Sequence, residues 1–305
     1  MREELIKKIK ELKKKRKAVI LAHNYQPPHI QEIADFVGDS LGLSVEAKRT
    51  KTKVIVFCGV YFMAETAKIL SPQKTVLIPE KDAGCPLADK ITAADLIKLK
   101  KCYPQAKVLC YVNTPAEVKA ESDYCCTSAN AVRLVNEISK SNKERIIFVP
   151  DKHLASYVSP RTKKRFIVWK GFCPVHVKIR PEDIKKKKKL YPEAEVFVHP
   201  ECIPEVIRLA DRVLSTEGMC KYAQTSKAKR IIVGTEVGII YRLRKENPDK
   251  EFFPANEEAI CADMKKISLK KVLWALENMQ YQINLSREVI RKAQKSIKRM
   301  LFYVD

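Results

Sequence analysis

The chain repeats itself at an interval of 88 residues. The segment KCYPQAKV at 101–108 returns as KLYPEAEV at 189–196, and single residues fall into columns at the same spacing. Cys85, Cys173 and Cys261 form one column; His23, Tyr111 and His199 form another, followed two residues on by Tyr25, Asn113 and Glu201. Ser40, Ser128 and Thr216 form a further column, as do Pro72, Pro160 and Pro248. Self-similarity at a fixed period marks structural units that stack against one another. The columns define three homologous units at 15–102, 103–190 and 191–278, with an N-terminal helix at 1–14 and a C-terminal helix at 279–305.

Within each unit, short β-branched or aromatic runs alternate with stretches of helical periodicity. The first unit gives AVILA, FVG, KVIVFC and TVLIP, with a helix near 28–36, another from Ser40 and a third near 62–70. The second gives KVLCYV, DYCC, RIIFV and RFIVW, and the third EVFVH, DRVL, RIIVG and EFF. This alternation predicts parallel sheets covered by helices. The expected fold is α/β: three homologous three-layer α/β/α domains, each with a four-stranded parallel sheet, related by pseudo-threefold symmetry around a central site. Units of 88 residues have limited cores of their own, so they are expected to dock tightly. The terminal helices each carry one apolar stripe, Leu5, Ile6, Ile9 and Leu12 at one end and Leu285, Val289, Ile290, Ala293, Ile297 and Leu301 at the other.

The net charge of +23 raises nucleic acid as a partner. Its lysines are interleaved with glutamates and lack aromatic partners, so no nucleic-acid role is expected; IKKKKK at 184–189 reads as a solvated helix face, and an anionic substrate suits the charge equally. No apolar run is long enough to span a bilayer, and MREELIKKIKELKKKRK lacks a secretory h-region. A cytoplasmic protein without a membrane partner is expected. Ten cysteines in that reducing compartment point to metal or catalytic chemistry for some of them rather than to disulfides.

Ligands collect beyond the carboxyl ends of parallel strands, and the columns fall there. His23, Tyr111 and His199 end the first strand of each unit, the hydroxyl residues open the helix after the second, and the cysteines follow the fourth. With those edges turned inward, one cavity receives all of them. Each column has a plainer reading. A serine or threonine opening a helix is commonly only an N-cap, and a lone cysteine is commonly a small buried hydrophobe, the reading that fits Cys58, Cys102, Cys110, Cys125, Cys126, Cys202 and Cys220. His29 and His153, which lack repeat partners, read as surface or loop residues. Structural zinc sites draw ligands from close pairs such as CxxC, and none occurs. Three thiolates around a threefold axis suit a [4Fe–4S] cluster with one iron left open as a Lewis acid. A zinc ion on the same three thiolates, with water in its fourth position, satisfies the same spacing.

The motifs LAHNYQ, ADFVGDSL, GVYFMAET, GCPLAD, YVNT, CTSANA, CPVH, VHPEC, GTEVGII and CADMKK, taken together and in order, resemble the quinolinate synthase family over nearly the whole chain. The resemblance implies a [4Fe–4S] cluster held by Cys85, Cys173 and Cys261. It also implies condensation of iminoaspartate with dihydroxyacetone phosphate to quinolinate, phosphate and water in NAD biosynthesis, a transferase reaction. Substrate-contacting positions carried over from the family fall on His23, Ser40, Tyr111, Asn113, Ser128, His199, Glu201 and Thr216. Tyr25 and His176 also match active-site positions. Glu201, His199 and Tyr25 are then candidates for proton transfer, with His23 and Tyr111 orienting the substrate and His176 supporting the cluster or the triose phosphate. Phe62 and Met63 are expected to shape a gate. An L-aspartate oxidase or aspartate dehydrogenase is the implied source of the unstable imine. His153 and Ala155 in PDKHLASY, and the turn STEGMC, depart from the family pattern.

Overall fold

A computed structural model describes residues 2–138 and 145–302; the outermost residues of both expected terminal helices, 1 and 303–305, lie outside the described range. Each unit builds one four-stranded sheet. The first contains β1 (Ala18–His23), β2 (Phe36–Gly38), β3 (Val54–Cys58) and β4 (Thr75–Leu77). The second contains β5 (Lys107–Tyr111), β6 (Tyr124–Cys126), β7 (Ile146–Val149) and β8 (Phe166–Val168), and the third β9 (Glu195–Val198), β10 (Arg212–Val213), β11 (Arg230–Gly234) and β12 (Glu251–Pro254). The orders are β2-β1-β3-β4, β6-β5-β7-β8 and β10-β9-β11-β12, all parallel. The expected three-layer architecture is therefore present three times.

Burial on both faces explains the composition of the central strands. Every residue of AVILAH and VIVFC is buried, as near-continuous apolar runs in parallel sheets require. Register carries the repeat into three dimensions: Ile20 pairs with Val56 in the first sheet as Val196 pairs with Ile232 in the third. In the second, Val108 pairs with Ile147, three residues later than the 88-residue offset would place the partner. The proline column breaks for that reason. Pro72 and Pro248 each follow a helix, Tyr61–Leu70 and Ile239–Glu246, whereas Pro160 lies inside the helix Lys152–Thr162. The helix expected near 28–36 also shrinks to Pro28–Gln31, because the chain must turn back into β2 at Phe36.

The units interlock through their last helices. On one face of the first sheet, Ile20 and Ala22 pack with Ile9 of the N-terminal helix and with Leu269, Val272 and Leu276 of the helix Leu269–Asn278. The equivalent face of the third sheet, Val196 and Val198, packs with Ile179 and Ile184, the latter from the helix Pro181–Leu190. That helix displays the lysine run to solvent and buries only Ile184. The C-terminal helix, Arg287–Phe302, buries Ala293, Ser296, Ile297 and Met300. It ties the first two units together: Gln294 Nε2 donates to the Ile69 carbonyl (2.8 Å) and Asn130 Nδ2 to the Met300 carbonyl (3.0 Å). No helix among the described residues is long and apolar enough to cross a membrane.

Candidate active site

All strands being parallel, the carboxyl ends of each sheet open on one edge, and the three edges meet in a single cavity. Its lining includes His23, Tyr25, Ser40, Cys85, Tyr111, Asn113, Ser128, Cys173, His176, His199, Glu201, Thr216 and Cys261, every site residue expected from the sequence. Phe62 and Met63 form part of the wall. The loops after β1 and β3, and their counterparts, diverge to opposite sides of the sheet, which is where a parallel sheet of this order leaves a crevice.

The His-x-Tyr and His-x-Glu turns fix two imidazoles alike. Tyr25 N–H donates to His23 Nδ1 (3.2 Å) and Glu201 N–H donates to His199 Nδ1 (3.3 Å). A ring nitrogen that accepts carries no proton, so both histidines hold theirs on Nε2. His199 directs it at Ser128 Oγ, 3.1 Å away. Burial, reinforced by Lys265, lowers His23 to about 3; burial, partly opposed by Glu201, lowers His199 to about 3. Both are therefore neutral hydrogen-bond donors at physiological pH. The unfolded chain takes up these protons near pH 6.5 while the folded one resists to about 3. Stability is thus fully present above 6.5 and falls as pH drops through that window. Thermal melts between pH 7 and 4 should show this decline, and it should be shallower in the double variant His23→Gln, His199→Gln.

A chain of hydrogen bonds crosses the cavity floor. Tyr111 O–H donates to Glu201 Oε1 (2.5 Å), and His176 Nδ1 lies 2.8 Å from Glu201 Oε2. His176 Nε2 lies 2.8 Å from Thr235 Oγ1, which is 2.5 Å from the Tyr25 hydroxyl. Burial alone would raise Glu201, but the His176 ring and its hydrogen bond overcome it and hold the carboxyl at about 2. An ionised Glu201 accepts from His176 Nδ1–H; in the neutral ring Nε2 then accepts from the Thr235 hydroxyl, whose oxygen accepts from Tyr25. Burial, reinforced by Glu201, pushes both Tyr25 and Tyr111 well above the usual phenol range. Thr235 escapes the sequence reading because the positions matching it after β3 and β7 are Gly59 and Pro150, so no column forms.

The hydroxyl column is not a capping column. Asp39 and Ser215, each one residue earlier, cap the helices Ser40–Arg49 and Thr216–Thr225 by accepting from Gly42 and Gly218 N–H. The hydroxyls of Ser40 and Thr216 are thereby released from capping, at helix starts whose unpaired N–H groups favour anions. Asn24 Nδ2 donates to Thr216 Oγ1 (3.0 Å) and is itself held by Arg242 through Oδ1 (2.9 Å). Asn113 Oδ1 is buried without a partner, an acceptor aimed at whatever fills the cavity.

The three cysteines reach this floor from the loops after β4, β8 and β12. Burial pushes Cys85 up to about 12, Cys173 well up and Cys261 up, so without a cation beside them the three are held as thiols. Three thiolates on one zinc ion would stand about 3.8 Å apart, given Zn–S bonds near 2.3 Å. The trio does not converge so tightly: among the described residues the only metal-ligating group meeting within 4.8 Å is Cys173, His176 and Glu201. Three thiols from three units, facing one cavity but spread wider than a single ion, fit a polynuclear cluster. Of the remaining cysteines, Cys58, Cys110, Cys125, Cys126, Cys202 and Cys220 are buried as expected, whereas Cys102 is exposed at the last position of the helix Ala93–Cys102. His29 and His153 are half-buried, both on helices rather than loops; His153 opens Lys152–Thr162 with its ring 6.4 Å from Phe172.

Fold and site together define a three-unit parallel α/β enzyme with a shared three-cysteine centre. The family described as quinolinate synthetase A protein matches residues 7–302. Quinolinate synthase of Dehalococcoides mccartyi strain 195 is 57% identical over 294 residues, 96% of either chain. The Methanosarcina barkeri quinolinate synthase is 53% identical, covering 98% of this chain and 97% of its own. That of Thermodesulfovibrio yellowstonii is also 53% identical, over 98% of both chains. The chain belongs to the quinolinate synthase family.

Proposed function

We propose that this protein condenses iminoaspartate with dihydroxyacetone phosphate to form quinolinate, phosphate and water, as a transferase of NAD biosynthesis in the cytoplasm. The observation that carries the reading is the meeting of three wider-spaced thiols with the Tyr25–Thr235–His176–Glu201 chain in one cavity. Cys85, Cys173 and Cys261 would hold a [4Fe–4S] cluster, which supplies a Lewis acid for loss of a hydroxyl as water.

The remaining steps fall to the chain's own residues. No lysine or arginine lines the described cavity, so two anionic substrates need dipolar anchors: the hydroxyls of Ser40, Ser128 and Thr216 and the helix starts beside two of them. Asn113 and the Nε2–H of His23 complete the polar contacts. Isomerisation, imine formation and dehydration each move a proton near the carbon skeleton. Ionised Glu201 is the base that takes a proton from the substrate; Tyr25, joined to it through Thr235 and His176, is the acid that gives one back. His199, fixed as a neutral Nε2–H donor, orients substrate rather than acting as an acid. Tyr111 shares Glu201 and orients as well. Thr235→Val interrupts the relay without touching the substrate and is expected to lower kcat by roughly 10- to 100-fold with little change in KM.

An aspartate oxidase or dehydrogenase would supply the imine. The test is an anaerobic incubation of the iron-reconstituted protein with enzymatically generated iminoaspartate and dihydroxyacetone phosphate. Quinolinate and phosphate released in equal amounts, and neither without the triose phosphate, is the expected result. Phosphate release without quinolinate would sink the reading.

A further inference from the structure

The described residues contain one point on which three metal-ligating side chains converge, and it includes only one of the three repeat cysteines. Cys173 Sγ, His176 Nδ1 and a Glu201 oxygen all lie within 4.8 Å of one another. We propose that, in protein lacking its cluster, these three side chains form a mononuclear binding site for zinc and similar divalent cations, and that its occupation blocks cluster assembly. The site stands on its own geometry; the competition for Cys173 rests on the cluster reading above.

Thiolate, imidazole and carboxylate together are a zinc-type donor set, and three protein ligands with an open fourth position form a recurrent zinc geometry. The spacings are already near those of a coordination sphere. His176 Nδ1 is 3.1 Å from Cys173 Sγ and 2.8 Å from Glu201 Oε2, so a slight spreading of the three atoms admits an ion between them. The outer atoms are held too. His176 Nε2 meets the Thr235 hydroxyl and Glu201 Oε1 takes the Tyr111 hydroxyl, the second layer of hydrogen bonds that orients ligands before a metal arrives. His176 and Glu201 are almost wholly buried, while the cavity beyond leaves room for a water as fourth ligand.

Charge balances as well. A dication with one thiolate and one carboxylate is neutral, which suits a buried floor. On binding, the Cys173 thiol loses its proton to solvent and the His176 proton moves from Nδ1 to Nε2. Cys85 and Cys261 play no part, because they do not converge on this point.

The test uses the full chain, freed of iron by anaerobic chelation and titrated with Co2+. One equivalent should bind, with the thiolate-to-cobalt charge-transfer band of a single sulfur, and Zn2+ should displace it. Cys173→Ser and His176→Ala should each weaken Co2+ binding more than about tenfold, while Cys85→Ser and Cys261→Ser change it less than about twofold. In the unmodified protein, where no variant has to fold, one equivalent of Zn2+ should protect Cys173 from alkylation and leave Cys85 and Cys261 reactive. Zinc-loaded protein should then take up less iron and sulfide on reconstitution. Absence of the band, its loss in the Cys85 or Cys261 variant, or equal protection of all three cysteines would overturn the site. Undiminished iron uptake by the zinc-loaded protein would overturn the competition. A protein that accepts no iron even without zinc would instead tell against the cluster, leaving the cobalt result to stand.

Discussion

Alanine at Cys85, Cys173 or Cys261 is expected to strip iron from the protein and to lower quinolinate formation by roughly a thousandfold or more. The size follows from the part assigned to the metal centre. Lewis-acid stabilisation of a leaving hydroxyl contributes several kcal/mol, and each 1.36 kcal/mol or so is a factor of about ten in rate. The three cysteines come from three different units, so none can stand in for another. Cys102→Ala is the control. That thiol is exposed at a helix end, and its replacement should leave both iron content and rate unchanged, as measured on anaerobically reconstituted protein.

Glu201→Gln is expected to cost roughly 10²- to 10⁴-fold in kcat, the range of a positioned general base. Glu201 accepts from Tyr111 on one oxygen and from His176 on the other. An amide offers only one acceptor, so either Tyr111 or His176 loses its partner, and the base is gone in both cases. Because the carboxyl is held at about 2 by its neighbours despite burial, it stays ionised throughout the working range. An acid limb of the wild-type rate profile near neutral pH would therefore belong to another group. Steady-state kinetics across pH 5 to 9 would separate the two, with the variant losing kcat at every pH rather than shifting the profile.

Much of this was written in the chain as repetition. The histidine and hydroxyl columns stay in register because each follows a strand end that the sheet fixes, and those strand ends share one edge with the loops that carry the cysteines. What the columns conceal is physical too. A three-residue shift before β7 is compensated before Cys173, so the cysteine spacing holds while the proline column fails, leaving Pro160 inside a helix. Capping is decided by backbone geometry at a single residue: Asp39 and Ser215 take that part, and the conspicuous Ser40 and Thr216 do not. Thr235 has no counterparts because it bridges two units, reaching Tyr25 of the first and His176 of the second, a contact that exists only once the three sheets have docked. The last helices likewise follow their own units in sequence, yet Leu269–Asn278 covers the first sheet and so closes the ring.

The central claim is that three pseudo-equivalent cysteines hold one iron–sulfur cluster over the Glu201 relay. Iron and acid-labile sulfide analysis of anaerobically purified protein tests it most directly. About four of each per chain, with the broad visible absorption of a brown protein, is the expected result, and each single cysteine variant should fall far below it. Protein that carries no iron and, once freed of any zinc by chelation, takes up none under reconstitution with iron and sulfide, would contradict it.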